Sequence, residues 1–109
     1  MTTSQFTAIK EYILLKGDRR TYCNMYNDNP HLVFGTRDVY LNPAVGQYIS
    51  SDPKQSDFDT IVIQDWSSSI IYYEIKLSDD GQTLTFNPSD AKILFEQLYL
   101  FVHGNNQAN

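Results

Sequence analysis

The stretch Ile70-Ile71-Tyr72-Tyr73-Glu74-Ile75-Lys76-Leu77-Ser78-Asp79-Asp80-Gly81-Gln82-Thr83-Leu84-Thr85-Phe86 decides the fold class. Asp80-Gly81 is a two-residue type I′ signal, because both central positions of that turn need positive φ. A turn there sets Leu77 opposite Leu84 and Ile75 opposite Phe86, with Lys76 opposite Thr85. The apolar pairs then share one face, as the period of two along a strand requires. Turn chemistry and pattern agree on an antiparallel hairpin of 70–77 and 82–86.

Upstream, 60–66 reads as the next strand, its inward Ile61 and Ile63 matching Ile71, Tyr73, Ile75 and Leu77. Ser67-Ser68-Ser69 connects the two. Further back, strands over 21–26 and 31–41 flank Asn27-Asp28-Asn29-Pro30, four turn-forming residues in a row. Gly35 reads as a bulge or bend within the second of these strands. The segment 42–57 carries Pro43, Gly46 and Pro53 and is expected as a long crossover or a binding loop, with Val45, Tyr48 and Ile49 able to pack down.

Helices are predicted at the two ends. In 4–16, Phe6, Ile9 and Ile13 recur on one helical face, Thr3 or Ser4 offers a cap, and Gly17 an αL stop. Ala91, Leu94, Phe95, Leu98, Phe101 and Val102 make a full apolar stripe at i, i+3, i+4, i+7, i+10 and i+11. Asn87-Pro88-Ser89-Asp90 precedes it with capping residues, and Gly104 ends it. The expected fold is a single α+β domain over 1–109, with mobile tails at about 1–3 and 105–109. It comprises an N-terminal helix, an antiparallel sheet of about five strands, and a C-terminal helix packed on the sheet.

A chain of 109 residues, 41% hydrophobic and 19% charged, has the size of one domain and too much apolar content for disorder. The longest apolar run, Leu98–Val102, falls far short of the ~20 residues that span a bilayer. Neither a basic nor an apolar leader region opens the sequence, and Cys23 is the only cysteine, so a cytoplasmic location is expected. The net charge of −5 works against tight binding to a phosphate backbone.

The chemistry-bearing residues do not assemble into a catalytic pattern. Cys23 and its nearest imidazole, His31, fall on adjacent predicted strands, but mid-strand Cys23 suits a small buried hydrophobe better than a nucleophile. Asp57, Asp59 and Asp65 are the densest carboxylates, and a solvated strand end explains them without a metal. Were Gly81 the sixth position of a calcium loop, Lys76 and Asn87 would stand at the first and twelfth, where Asp and Glu are needed. Arg19-Arg20, with Lys16, complements the negative end of the first helix. No catalytic residue, metal site or cofactor is assigned.

Eight Tyr, six Phe and one Trp leave an apolar surplus on the other side of the sheet. If the isoleucines point inward, then Val62, Gln64, Trp66, Ile70, Tyr72, Glu74 and Lys76 point away. Either the first helix covers that face, or it forms a patch with an apolar centre and a charged rim. The expectation is a small non-enzymatic interaction module: a regulator, inhibitor or complex subunit that docks on another protein or on a second copy of itself. The candidate partner-binding residues are Trp66, Tyr72, Val62, Ile70 and Glu74, with Tyr48 from the central loop. The alternative is a small-molecule or enzymatic pocket between sheet and helix, lined by Tyr22, Tyr26, Tyr40 and Tyr73.

Overall fold

Among the described residues, six antiparallel strands join in chain order into one sheet, β1-β2-β3-β4-β5-β6. They are β1 (Asp18–Arg20), β2 (Asn29–Phe34), β3 (Arg37–Pro43), β4 (Phe58–Asp65), β5 (Ile71–Leu77) and β6 (Leu84–Asn87). Helix α1 (Thr3–Lys16) precedes them, and α2 (Ala91–Tyr99) follows, continued by a π-helical turn over Leu100–Gly104. The computed structural model describes residues 2–20, 29–43, 58–67 and 70–104. The α+β class, the helix at each end and the C-terminal helix against an antiparallel sheet are as the sequence predicts. The sheet reaches six strands by counting the three-residue β1. The expected strand over 21–26, with Cys23, Tyr22 and Tyr26, lies outside the described residues.

The β5–β6 hairpin has the register read from its sequence: Leu77 opposite Leu84, Lys76 opposite Thr85, Ile75 opposite Phe86. Its turn is wider than two residues. The Gly81 N–H bonds back to Ser78 O at 2.9 Å, which centres the turn on Asp79 and Asp80, and Gly81 follows it at φ +73°. The Asp80 carboxylate accepts from Ser78 Oγ and from the Gln82 N–H, so side chains satisfy the loop. Register survives because both loops leave Ser78 opposite Thr83.

A second correction concerns Gly35. The predicted strand over 31–41 is two strands, with Phe34 paired to Arg37 across a two-residue Gly35-Thr36 turn, and Gly35 at φ +64°. Positive φ at the first turn position is what that tight connection demands of its residue. In the β3–β4 pairing, the register slips between Asn42 and Pro43, which leaves Asp59 of β4 as an extra residue and turns Phe58 inward.

Both helices pack on one face of the sheet. Phe6, Ile9 and Ile13 of α1 join Leu94, Phe95 and Leu98 of α2 in a single core with Val39, Leu41, Ile61, Ile63 and Ile75. The Phe95 ring bridges the layers, 6.2 Å from Phe6 and 6.2 Å from Phe86. Thr2 caps α1 in a reciprocal capping box with Gln5, one residue before the expected caps. At the other end, Gly17 is extended rather than αL (φ −77°). Its glycine is required by crowding: a Cβ there would lie 2.5 Å from Ile13 O and 2.6 Å from His31 O. α2 begins at Ala91 without a side-chain cap, its first amides bonded to Pro88, Ser89 and Asp90 carbonyls. Phe101 leaves the stripe to lie on the Phe34 ring at 4.9 Å, partly exposed, while Val102 is buried.

Lys10 is a core residue that hydrophobic patterning cannot find. It is 2% exposed, its Nζ donates to Phe58 O at 2.8 Å, and the ammonium stands 5.0 Å from the Phe6 ring centre. Burial lowers its pKa below the ordinary lysine value, against the pull of the Asp59 and Glu11 carboxylates.

Candidate interaction surface

The face opposite the helices is built by strand register. Asp38 lies opposite Val33 on one side and Gln64 on the other, and Gln64 lies opposite Tyr72, so one row crosses four strands. Trp66 follows two residues after Gln64 on the same side. Its N–H bonds Thr36 O at 3.1 Å and carries the ladder one step beyond β4. Because both helices sit on the far side of the sheet, neither covers this row, and covering by α1 is excluded.

Two polar bonds hold the aromatic groups in place. The Trp66 indole Nε1 donates to Asp38 Oδ2 at 2.9 Å, and Gln64 Nε2 donates to the Tyr72 hydroxyl at 3.3 Å. Trp66, Ile70, Tyr72 and Val33 are 49, 50, 53 and 56% exposed. Half-exposure combined with a fixed polar anchor gives rings that present a face at low conformational cost. Val33 was not singled out from sequence. Its signal, an apolar residue facing Asp38, depends on the Gly35 turn.

Behind the rings lies a buried ionic knot. Asp65, 7% exposed, accepts from Arg37 Nε at 3.2 Å, from the Ser67 N–H at 2.9 Å and from Thr36 Oγ1 at 3.4 Å. The Ser67 N–H is the main cause that holds this carboxyl below its ordinary range, helped by the Ser67 hydroxyl and the Arg37 guanidinium and opposed by burial. Arg37 also lies over the Phe34 ring at 5.4 Å. The knot ties the β2–β3 turn to the end of β4, from which Trp66 projects.

The remaining candidates divide. Glu74 is exposed on the same face, opposite Val62 and Asn87, and Lys76 is exposed opposite Thr60. Val62 shares the face but is 2% exposed, flanked in register by Tyr40 and Glu74 on the central strands, so it offers no contact surface. Tyr48 lies outside the described residues. Tyr40 pairs with Val62 and Tyr73 with Ile63, and adjacent residues of β4 point to opposite faces. Tyr40 and Tyr73 therefore cannot line one pocket. Asp59 and Asp65 stand at opposite ends of β4, and no group of three metal-ligating side chains occurs among the described residues. His31 is buried opposite Tyr40.

No helix of the described residues is long and apolar enough to cross a membrane. Comparison with protein-family models, curated proteins and solved structures finds no match.

Proposed function

We propose that this chain is a non-enzymatic protein–protein interaction module, a small cytoplasmic regulator, inhibitor or complex subunit, that docks through the Trp66 end of the sheet face opposite its two helices. One observation carries the reading. Trp66, Ile70, Tyr72 and Val33 stand half-exposed on the sheet face opposite α1 and α2, and the other face holds the core. Asp38, Gln64 and Glu74 surround them with polar groups, the composition of an interface centre and rim. Self-association through the same face is a close variant of this reading.

The test must separate binding from folding. Trp66→Ala combined with Tyr72→Ala should shift stability little, since exposed substitutions usually change it by under about 0.5 kcal/mol each. The same pair should abolish partner capture or self-association, because aromatic hot spots contribute roughly 2 kcal/mol or more apiece. Thermal melts, light scattering and quantitative mass spectrometry of pull-downs would report both quantities. A stable double variant that retains every partner and its oligomeric state would remove this face from consideration.

A further inference from the structure

We propose that the outer edge of β6 is a second docking site, one that accepts a short, extended, carboxylate-bearing segment of a partner protein as an added strand. The inference stands apart from the Trp66 face. The Ser78 N–H bonds Thr83 O at 2.9 Å, which sets the phase of the β5–β6 ladder. Backbone groups alternate in direction along an antiparallel strand, so Thr83, Thr85 and Asn87 turn theirs toward β5. Leu84 and Phe86 then turn their N–H and C=O groups away from the sheet. Among the described residues no strand pairs with β6 on that side.

Residues of that edge also line an open groove. Leu84 and Phe86 border a space of about 460 Å³ together with Thr2, Thr3 and Lys92. Two outward residues, one intervening residue apart, complement an extended backbone and nothing more compact. Among the described residues, Lys92 is the one charged side chain in the groove, and it makes no ion pair there. In a chain of net charge −5, an isolated cation beside an open edge selects a carboxylate. A second copy would bring two such grooves together with no carboxylate in either lining.

The length of the occupant is limited from both ends. β6 has four residues and stops at Pro88, which has no N–H to donate, so the added strand pairs over only about four to six residues. Edge strands are commonly guarded by charges on the strand itself. Leu84-Thr85-Phe86-Asn87 carries none.

The probe is a blocked seven-residue peptide of alternating threonine and valine with a central glutamate, added to the full ¹⁵N-labelled chain. Binding should move the Leu84, Phe86 and Lys92 amide resonances and slow solvent exchange at the first two. Replacing the glutamate by lysine should weaken binding several-fold, and Lys92→Glu should reverse that preference. N-methylation of alternate peptide amides should abolish binding, because it removes the donors facing the edge. Any of four results would overturn the proposal: no shifts at millimolar peptide, shifts confined to other residues, equal binding of the N-methylated peptide, or no charge preference. Protection of Leu84 and Phe86 in a peptide-free, concentration-dependent dimer would overturn it too, and assign the edge to a second copy.

Discussion

Gly17 and Gly81 are required for different physical reasons, and the difference can be measured. At Gly17 the backbone is extended, which any residue adopts, but two backbone carbonyl oxygens occupy the space of a side chain. At Gly81 no atom lies within 4 Å of the Cβ position, but φ is +73°. Gly17→Ala should therefore destabilise by about 1–3 kcal/mol through overpacking. Gly81→Val should cost more than about 1 kcal/mol through backbone strain, and Gly81→Asn much less, since asparagine tolerates αL. Denaturant titration of the three variants checks both. Asp65 supplies a pH signature. Its folded-state pKa lies below the unfolded value of about 3.9, so its stabilisation is full above that pH. It is lost as the pH falls through the lower folded value. Asp65→Asn should accordingly lower the thermal midpoint at neutral pH, and the gap to the parent should close on acidification below about pH 4. Parallel midpoint curves down to pH 2 would place the stabilisation elsewhere.

At the scale of elements, β2 and β3 show how one signal serves two structures. Inward positions are even before Gly35 (Leu32, Phe34) and odd after Thr36 (Val39, Leu41). A one-residue bulge and a two-residue turn shift parity alike, so the pattern alone does not choose between them. Length does, because an eleven-residue strand far exceeds the usual five or six. The stripe of α2 was legible because each of Ala91, Leu94, Phe95 and Leu98 meets the core at helical spacing. The stripe drifts beyond Tyr99, where the widened π-helical turn leaves Phe101 at the rim and Val102 inside. Leu98 is fully buried, and Leu98→Ala should destabilise by about 2–5 kcal/mol, as buried leucine truncations do. An unchanged thermal midpoint would contradict the packing of α2 on the sheet.

Across the whole molecule, the two faces of the sheet have unequal tasks. One is sealed by α1 and α2 around Phe95, and among the described residues no helix lies over the other. Aromatic truncation should expose that asymmetry. Phe95→Ala should cost about 3–5 kcal/mol, whereas Tyr72→Ala should leave the midpoint nearly unmoved. Comparable losses would mean that the outer face is also a structural layer. The central outer positions already lean that way, since Val62, Thr60 and Gln64 are buried there. The docking surface we propose is therefore confined to the end of the face around Trp66.

The sequence by itself determined the elements whose signals are local. The Leu77–Leu84 register, the α2 stripe and the inward Ile61, Ile63 and Ile75 all rest on turn chemistry and on periods of two or 3.6, whereas Ile71, expected inward, is exposed. The same locality made Trp66, Tyr72, Ile70 and Glu74 legible as an outward set. Only the tertiary structure decided which layer covers which face, because an amphipathic helix carries no record of the side of the sheet it will join. The burial of Val62, the separation of Tyr40 from Tyr73, the Lys10–Phe58 bond and the crowding at Gly17 follow from contacts between segments distant in the chain. Such contacts form only when the sheet closes under its two helices, and no local pattern of residues encodes them.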